Sequence, residues 1–102
     1  MMDLDFTFDA PLWIYPLGTT QWHFITLPVE AADEIKFFIT SRNGFGSVRV
    51  TATIGDSTWK TSIFPYKDAN SFILPVKKDI RTRQGFHAGD TATINLYVPL
   101  GH

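Results

Sequence analysis

Three segments of this chain alternate strictly between apolar and polar residues, and this alternation limits the folds open to it. The segments are residues 4–10, 48–54 and 91–98. A period of two buries one face of a strand and leaves the other face to solvent. Proline directly follows the first and third segments, and proline is poorly tolerated inside a sheet. The pattern therefore predicts a domain built mainly from strands, a small barrel or sandwich.

Three more strands bring the predicted total to six. They lie at residues 22–27, 58–64 and 71–74. Pro11 marks a break or bulge in the first strand, and residues 12–14 after it are again apolar. Gly55-Asp56 between two strand segments indicates a hairpin with a type II′ turn. This hairpin places Trp59, Thr61 and Ile63 on the face of the strand valines. A turn is predicted at residues 16–20, and loops are predicted at residues 65–70 and 85–90.

Two segments change to a helical period. Ile35, Phe38 and Ile39 fall at i, i+3 and i+4 within residues 29–39, and acidic residues occupy the first turns, where the helix dipole favours them. Gly44 follows this helix and suits the left-handed C′ position. Val76 and Ile80 predict a second, shorter helix over residues 76–84.

The chain contains an internal repeat. Its matches are Leu-Pro-Val at 27–29 and 74–76, Arg-x-Gly-Phe at 42–45 and 83–86, and Thr-Ala-Thr-Ile at 51–54 and 91–94. A duplication would relate two halves, roughly residues 22–54 and 71–98, by a pseudo-twofold axis and close one sheet into a barrel without edges. The alternative is shared capping chemistry, because proline commonly enters a helix and glycine commonly ends one.

Composition favours one folded domain and excludes several functions. The 102 residues fit a single domain, 1–102, and the aromatic content of 15% supplies a core. The absence of cysteine excludes disulfides, thiolate catalysis and cysteine-based zinc sites. A net charge of -1 gives no global field for nucleic acid or anionic lipid. The acidic N-terminus and the lack of an apolar segment of about 18 residues predict a cytoplasmic protein without a signal or a membrane span.

The order and spacing of several short motifs resemble one bacterial family. The motifs are Trp22-x-Phe24-x-x-Leu27-Pro28, Gly44-x-Gly46-Ser47-Val48-x-Val50, Thr61-Ser62-x-Phe64-Pro65, Leu74-Pro75-Val76-Lys77-Lys78-x-x-Arg81 and Gly89-Asp90. The family is domain of unknown function 1905, and the resemblance covers nearly the whole chain. It implies a double-split β-barrel without an established activity. We therefore expect a small closed double-split β-barrel of about six strands with two short helices.

A second resemblance is confined to the C-terminal half. The spacing of Leu74-Pro75, Ile80-Arg81, Gly85 and Gly89-Asp90 is similar to the half-barrel of AbrB- and SpoVT-type regulators. In those proteins two short chains interlock into one barrel and bind DNA, so the resemblance implies DNA binding as an alternative function. The first helix carries acidic residues where DNA binding requires basic ones, and nucleic acid is not the expected partner.

The densest group of like charges surrounds the second predicted helix. Its members are Lys67, Lys77, Lys78, Arg81 and Arg83. Lys77 and Arg81 are four residues apart and form one basic edge of the helix. Such an edge suits a small anion or an acidic peptide. The alternative is a solvated face that Asp68 and Asp79 partly neutralise.

Trp59 and Tyr66 are candidates for the wall of a ligand pocket, although most aromatic residues of so small a barrel belong to its core. Ser62 or Thr61 is the candidate nucleophile of a hydrolase, with His23 or His87 as base, but Ser62 lies in a strand and not on a sharp turn. The histidines lack metal-ligand spacing, so no catalytic residue, metal or cofactor is assigned. The sequence favours a non-catalytic binding or interaction module with a basic helix edge. A DNA-binding protein and a Ser62 hydrolase are the alternatives.

Overall fold

The computed structural model describes residues 3–17, 20–39 and 46–100, which form seven strands and two helices. The strands are β1 (Leu4–Pro11), β2 (Trp13–Leu17), β3 (Thr20–Thr26), β4 (Val48–Ile54), β5 (Ser57–Tyr66), β6 (Ser71–Pro75) and β7 (Thr91–Val98). The helices are α1 (Val29–Ile39) and α2 (Lys78–Gln84), and a 3₁₀ turn spans Lys67–Ala69. Within these ranges no helix has the length and apolar character that a membrane span needs.

All seven strands belong to one antiparallel sheet in the order β1-β7-β4-β5-β6-β3-β2. The sheet curls into an open half-barrel whose edges are β1 and β2. The prediction of a mostly β domain with two helices is confirmed. The prediction of a closed six-stranded barrel is wrong, because there is one more strand and the two edge strands do not pair with each other.

The additional strand arises at Leu12. Its side chain is buried in the core, its N–H donates to the carbonyl of Asp90 at 3.0 Å, and its carbonyl accepts from Gly89 N–H at 2.8 Å. These bonds turn the backbone away from β1, so residues 12–14 do not continue that strand. The chain crosses from one sheet edge to the other through this single residue and begins β2 at Trp13.

The turn predicted at residues 16–20 is shorter than predicted, because its outer residues belong to the paired strands β2 and β3. Pro16 and Leu17 complete β2, and Thr20 begins β3. Trp13 lies opposite Phe24 in this pair of strands. Residues 18–19 lie outside the described residues.

The β4–β5 hairpin follows the predicted register. Val48 lies opposite Ile63, Val50 opposite Thr61, and Ala52 opposite Trp59. Positive φ falls on Gly55 and not on Asp56, as a type II′ turn requires. The following segment differs from the predicted loop over residues 65–70, because β5 continues to Tyr66 before the 3₁₀ turn.

The two helices are present, and α2 is shorter than predicted. Helix α1 spans the predicted residues and buries Ala31, Ala32, Ile35 and Ile39. Helix α2 begins two residues later than predicted, because the Val76 N–H donates to the His23 carbonyl at 2.9 Å and Lys77 is extended. Gly85 ends α2 in the left-handed conformation. The corresponding prediction for Gly44 lies outside the described residues.

One hydrophobic core fills the concave side of the sheet. Ile35 and Ile39 of α1 join Phe72 and Leu74 of β6 in a single buried cluster. Ile80 of α2 belongs to the same cluster. Both helices are therefore held against the concave side, and the opposite face of the sheet carries the outward side chains of each strand.

Candidate functional site

The short pairing between β5 and β6 opens a split in the sheet. β5 pairs with β4 along residues 57–63, but it pairs with β6 only through Phe64, Pro65 and Tyr66. β6 ends at Pro75, which has no N–H to extend the ladder. Among the described residues, the preceding part of β5 therefore has no strand partner on its β6 side.

A cavity of about 320 Å³ lies in this split, and we call it the split cavity. Three segments form its wall: Gln21, Trp22 and His23 of β3; Trp59, Lys60 and Thr61 of β5; and Pro75, Val76, Lys77 and Arg81 around the start of α2. The volume falls at the lower end of the range of about 300–1,000 Å³ that is usual for small-molecule sites.

The charged wall residues of the split cavity are all basic. Lys60, Lys77 and Arg81 line it, and none of the described wall residues is acidic. Across the described ranges, the ion pair present within 4.0 Å joins His87 and Asp90, and it involves none of these three cations. The wall therefore carries uncompensated positive charge beside apolar surface.

Arg81 is held in place by the segment that enters its own helix. Its Nε donates to the carbonyl of Val76 at 3.1 Å. Val76 is in turn tied to β3 by its N–H, which donates to the His23 carbonyl. This chain of bonds fixes the guanidinium against the wall of the split cavity.

His23 adds a neutral imidazole to the same wall. Burial lowers the pKa of His23 from its ordinary value of 6.5, the positive charge of Arg81 lowers it further, and a backbone hydrogen bond with Gln21 partly opposes the shift. Its Nδ1 is buried without a hydrogen-bond partner among the described residues. At neutral pH the cavity's positive charge therefore comes from its two lysines and its arginine.

The structure brings together three of the seven predicted site residues. Trp59, Lys77 and Arg81 line the split cavity. Lys78 is exposed on α2 and does not line that cavity. Ser62 lies opposite Arg49 in the β4–β5 ladder and is half-buried.

The remaining two predicted residues, Tyr66 and Lys67, line a different cavity. It also measures about 320 Å³ and includes Lys36 and Phe72 in its wall. Lys36 Nζ donates to the backbone carbonyl of Asn70 at 3.4 Å and to its Oδ1 at 3.3 Å. Of the predicted basic cluster, Lys77 and Arg81 thus line the split cavity and Lys67 lines this second cavity, whereas Lys78 and Arg83 line neither of the two.

Lys60, Gln21 and Trp22 belong to the split cavity but were not predicted as site residues. β5 and β6 pair with Phe64 opposite Ile73. If this antiparallel pairing continued past Pro75, Lys60 would lie opposite Lys77. Like charges directly opposite one another destabilise a ladder. That repulsion is a sequence signal for the split, but it becomes readable only when the pairing of β5 with β6 is known.

Within the described part of the chain no hydrogen bond joins Ser62 to a histidine, whereas Thr61 and His23 both line the split cavity. His87 is exposed and lies 3.4 Å from Asp90 on the loop after α2. Groups of three or more His, Asp or Glu that could hold a metal are absent from the described ranges. His102 lies outside them.

A model of the protein family described as Domain of unknown function (DUF1905) matches residues 8–96. This chain belongs to that family. A comparison with curated proteins finds no match. Every wall residue of the split cavity lies inside the matched DUF1905 range.

Proposed function

We propose that this DUF1905 domain is a non-catalytic binding module that takes a small anion in the split cavity. The observation that supports the proposal is the convergence of Lys60, Lys77 and Arg81 on one cavity without an acidic wall residue. A bound anion would offset the mutual repulsion of these three cations. Charge-assisted hydrogen bonds from lysine and arginine then hold it.

The size of the cavity favours a small anion over an acidic peptide. The basic residues reach the cavity from both sides of the split, Lys60 from β5 and Lys77 with Arg81 from around α2. The small anion that we propose would bind between these two sides. An acidic peptide would need a longer basic groove, and Lys67 and Lys78 do not extend the cavity.

DNA binding has less support than small-anion binding. Helix α1 exposes Glu30, Asp33 and Glu34, and these carboxylates would oppose a phosphate backbone. DNA binding therefore stays the alternative, and it predicts a steep loss of duplex affinity with salt.

A charge-reversal series tests the proposal with inorganic phosphate as the probe. Lys77→Glu removes a cation of the wall, whereas Lys78→Glu makes the same change in net charge at an exposed neighbour outside it. At a phosphate concentration of about ten times Kd, binding stabilises the native state by about 1.4 kcal/mol, which raises Tm by several degrees. We expect this rise in wild type and Lys78→Glu, and its loss in Lys77→Glu.

Two results would contradict the proposal. The first is an equal loss of the phosphate effect in both variants, which would indicate non-specific attraction to net charge. The second is the absence of any shift in wild type across phosphate, sulfate and acetate up to tens of millimolar.

A further inference from the structure

Trp22 forms an aromatic lip on the split cavity. Its side chain is 46% exposed and contributes to the cavity wall. The indole lies nearly parallel to the ring of Phe24, with centroids 6.4 Å apart and an interplanar angle of 8°. Phe24 can stack on only one face of the Trp22 indole, so the other face makes no contact with Phe24.

Phe24, which stacks with Trp22, belongs to a set of packed aromatic residues. Trp13 lies 5.3 Å from Phe24 and 5.6 Å from Tyr66, centroid to centroid. The Trp13 indole is itself fixed, because Nε1 donates to Thr26 Oγ1 at 2.8 Å. The surroundings of Trp22 are therefore already ordered in the folded protein. Stacking a ligand ring on this indole would cost less side-chain entropy than stacking it on a mobile side chain.

Extending the proposed function, we infer that the anion in the split cavity carries a planar aromatic ring. Trp22 supplies a π-face at the same wall where Lys60 and Lys77 supply charge. The two features select one chemical class, an aromatic phosphate or carboxylate, with the charged group at the lysines and the ring on the indole. Offset stacking between aromatic rings adds to simple apolar burial.

The test compares phenyl phosphate, cyclohexyl phosphate and inorganic phosphate by isothermal titration calorimetry. Stacking on an aromatic side chain should make phenyl phosphate roughly 5- to 150-fold tighter than inorganic phosphate. Cyclohexyl phosphate, which is of similar size but has no π-face, should be weaker than phenyl phosphate. This comparison uses the wild-type protein and so does not depend on any variant folding.

Trp22→Ala should remove most of the phenyl increment and leave the affinity for inorganic phosphate within about twofold, while Trp22→Phe should restore part of the increment. Tyr15→Ala is the matched control, because Tyr15 is equally exposed and lies opposite Trp22 but does not line the split cavity.

The outcomes separate the two proposals. If inorganic phosphate binds through Lys77 but phenyl phosphate is no tighter, the aromatic inference fails and the anion site stands. If phenyl phosphate binding depends on Trp22 but not on Lys77, the aromatic lip serves an apolar partner and both proposals fail. Equal losses of both phosphates in Trp22→Ala would also overturn the inference.

Discussion

His23 holds the segment before α2 through its backbone and lines the split cavity with its side chain. Its carbonyl holds the start of the α2 segment, and its imidazole lies where burial and Arg81 both disfavour a positive charge. Folding therefore prefers the neutral form of this side chain. The preference makes stability depend on pH in a direction that can be stated in advance.

We expect the free energy of unfolding to fall as the pH drops below 6.5, because the unfolded chain takes up a proton at His23 that the native state resists. The fall should end once the pH is below the lowered pKa of the native state. His23→Gln should flatten this part of the profile, measured by urea denaturation at intervals from pH 5 to pH 8.

His87→Gln is the control for that profile, because His87 is 80% exposed on a loop. His87 lies outside the wall of the split cavity, so its replacement should flatten the profile less than His23→Gln does. A slope that survives in His23→Gln but disappears in His87→Gln would contradict the assignment.

At the scale of elements, α2 is attached to the β4–β5 hairpin through Gln84. Its Nε2 donates to Asp56 Oδ1 and to Ser57 Oγ, both at 2.7 Å. A Cβ added at Gly55 would overlap the Gln84 side-chain oxygen. The turn thus needs glycine for its positive φ of 59° and also for this close approach.

Gly55→Ala should lower the free energy of unfolding by about 1–3 kcal/mol, from the left-handed backbone and from displacement of Gln84. Equilibrium denaturation of Gly55→Ala, Gln84→Ala and the double variant separates the cost of the backbone from the cost of displacing Gln84. The cost of Gly55→Ala should be smaller in the Gln84→Ala background, where the overlap is gone. Strict additivity would show that the approach of Gln84 has no energetic role.

A feature of the strands and helices could be predicted when the residues that determine it lie close together in the sequence. The β4–β5 register followed from Gly55-Asp56 and the flanking alternation, which lie within one hairpin. A break at Pro11 was predicted from proline alone, but the crossing at Leu12 to the other sheet edge was not, since it depends on hydrogen bonds to Gly89 and Asp90 from a loop far along the chain. The late start of α2 likewise depends on His23 in another strand.

At the scale of the whole molecule, we propose that the internal repeat reflects a pseudo-twofold axis, and two strand registers support this. Thr-Ala-Thr-Ile recurs at an offset of 40, and Ile54 lies opposite its counterpart in the second copy, Ile94. Leu-Pro-Val recurs at an offset of 47, and at that offset Thr26 lies opposite its counterpart, Ile73. A twofold axis between antiparallel strands passes through such self-matching pairs.

The repeat predicts equal roles for Phe86 and Phe45. Phe86 is 4% exposed in the core, so Phe86→Ala should cost about 3–5 kcal/mol. Phe45 lies outside the described residues, and the repeat predicts a similar cost for Phe45→Ala. Phe37→Ala, at a position 75% exposed, should cost less than about 1 kcal/mol. Urea denaturation gives all three values, and a large cost at Phe86 with a small one at Phe45 would count against the duplication.

The split cavity and the open half-barrel were the least predictable features of the whole molecule. The basic edge at Lys77 and Arg81 was visible as a spacing of four residues. Its partner Lys60 was not, because alternation placed it on a solvated strand face and only the end of β6 at Pro75 turns that face into a cavity wall. Closure of the sheet likewise depends on whether β1 meets β2, which neither strand's own sequence determines.

The sheet order also determines when the domain can finish folding. β1 is an edge strand whose ladder partner is β7, so Leu4 finds Val98 only after every other strand has been synthesised. Pairings between such distant residues are slow, because chain entropy is lost before contacts are gained. Until then Phe6 and Phe8, which pack against the finished core, remain uncovered on a nascent chain, where transiently exposed apolar surface promotes aggregation.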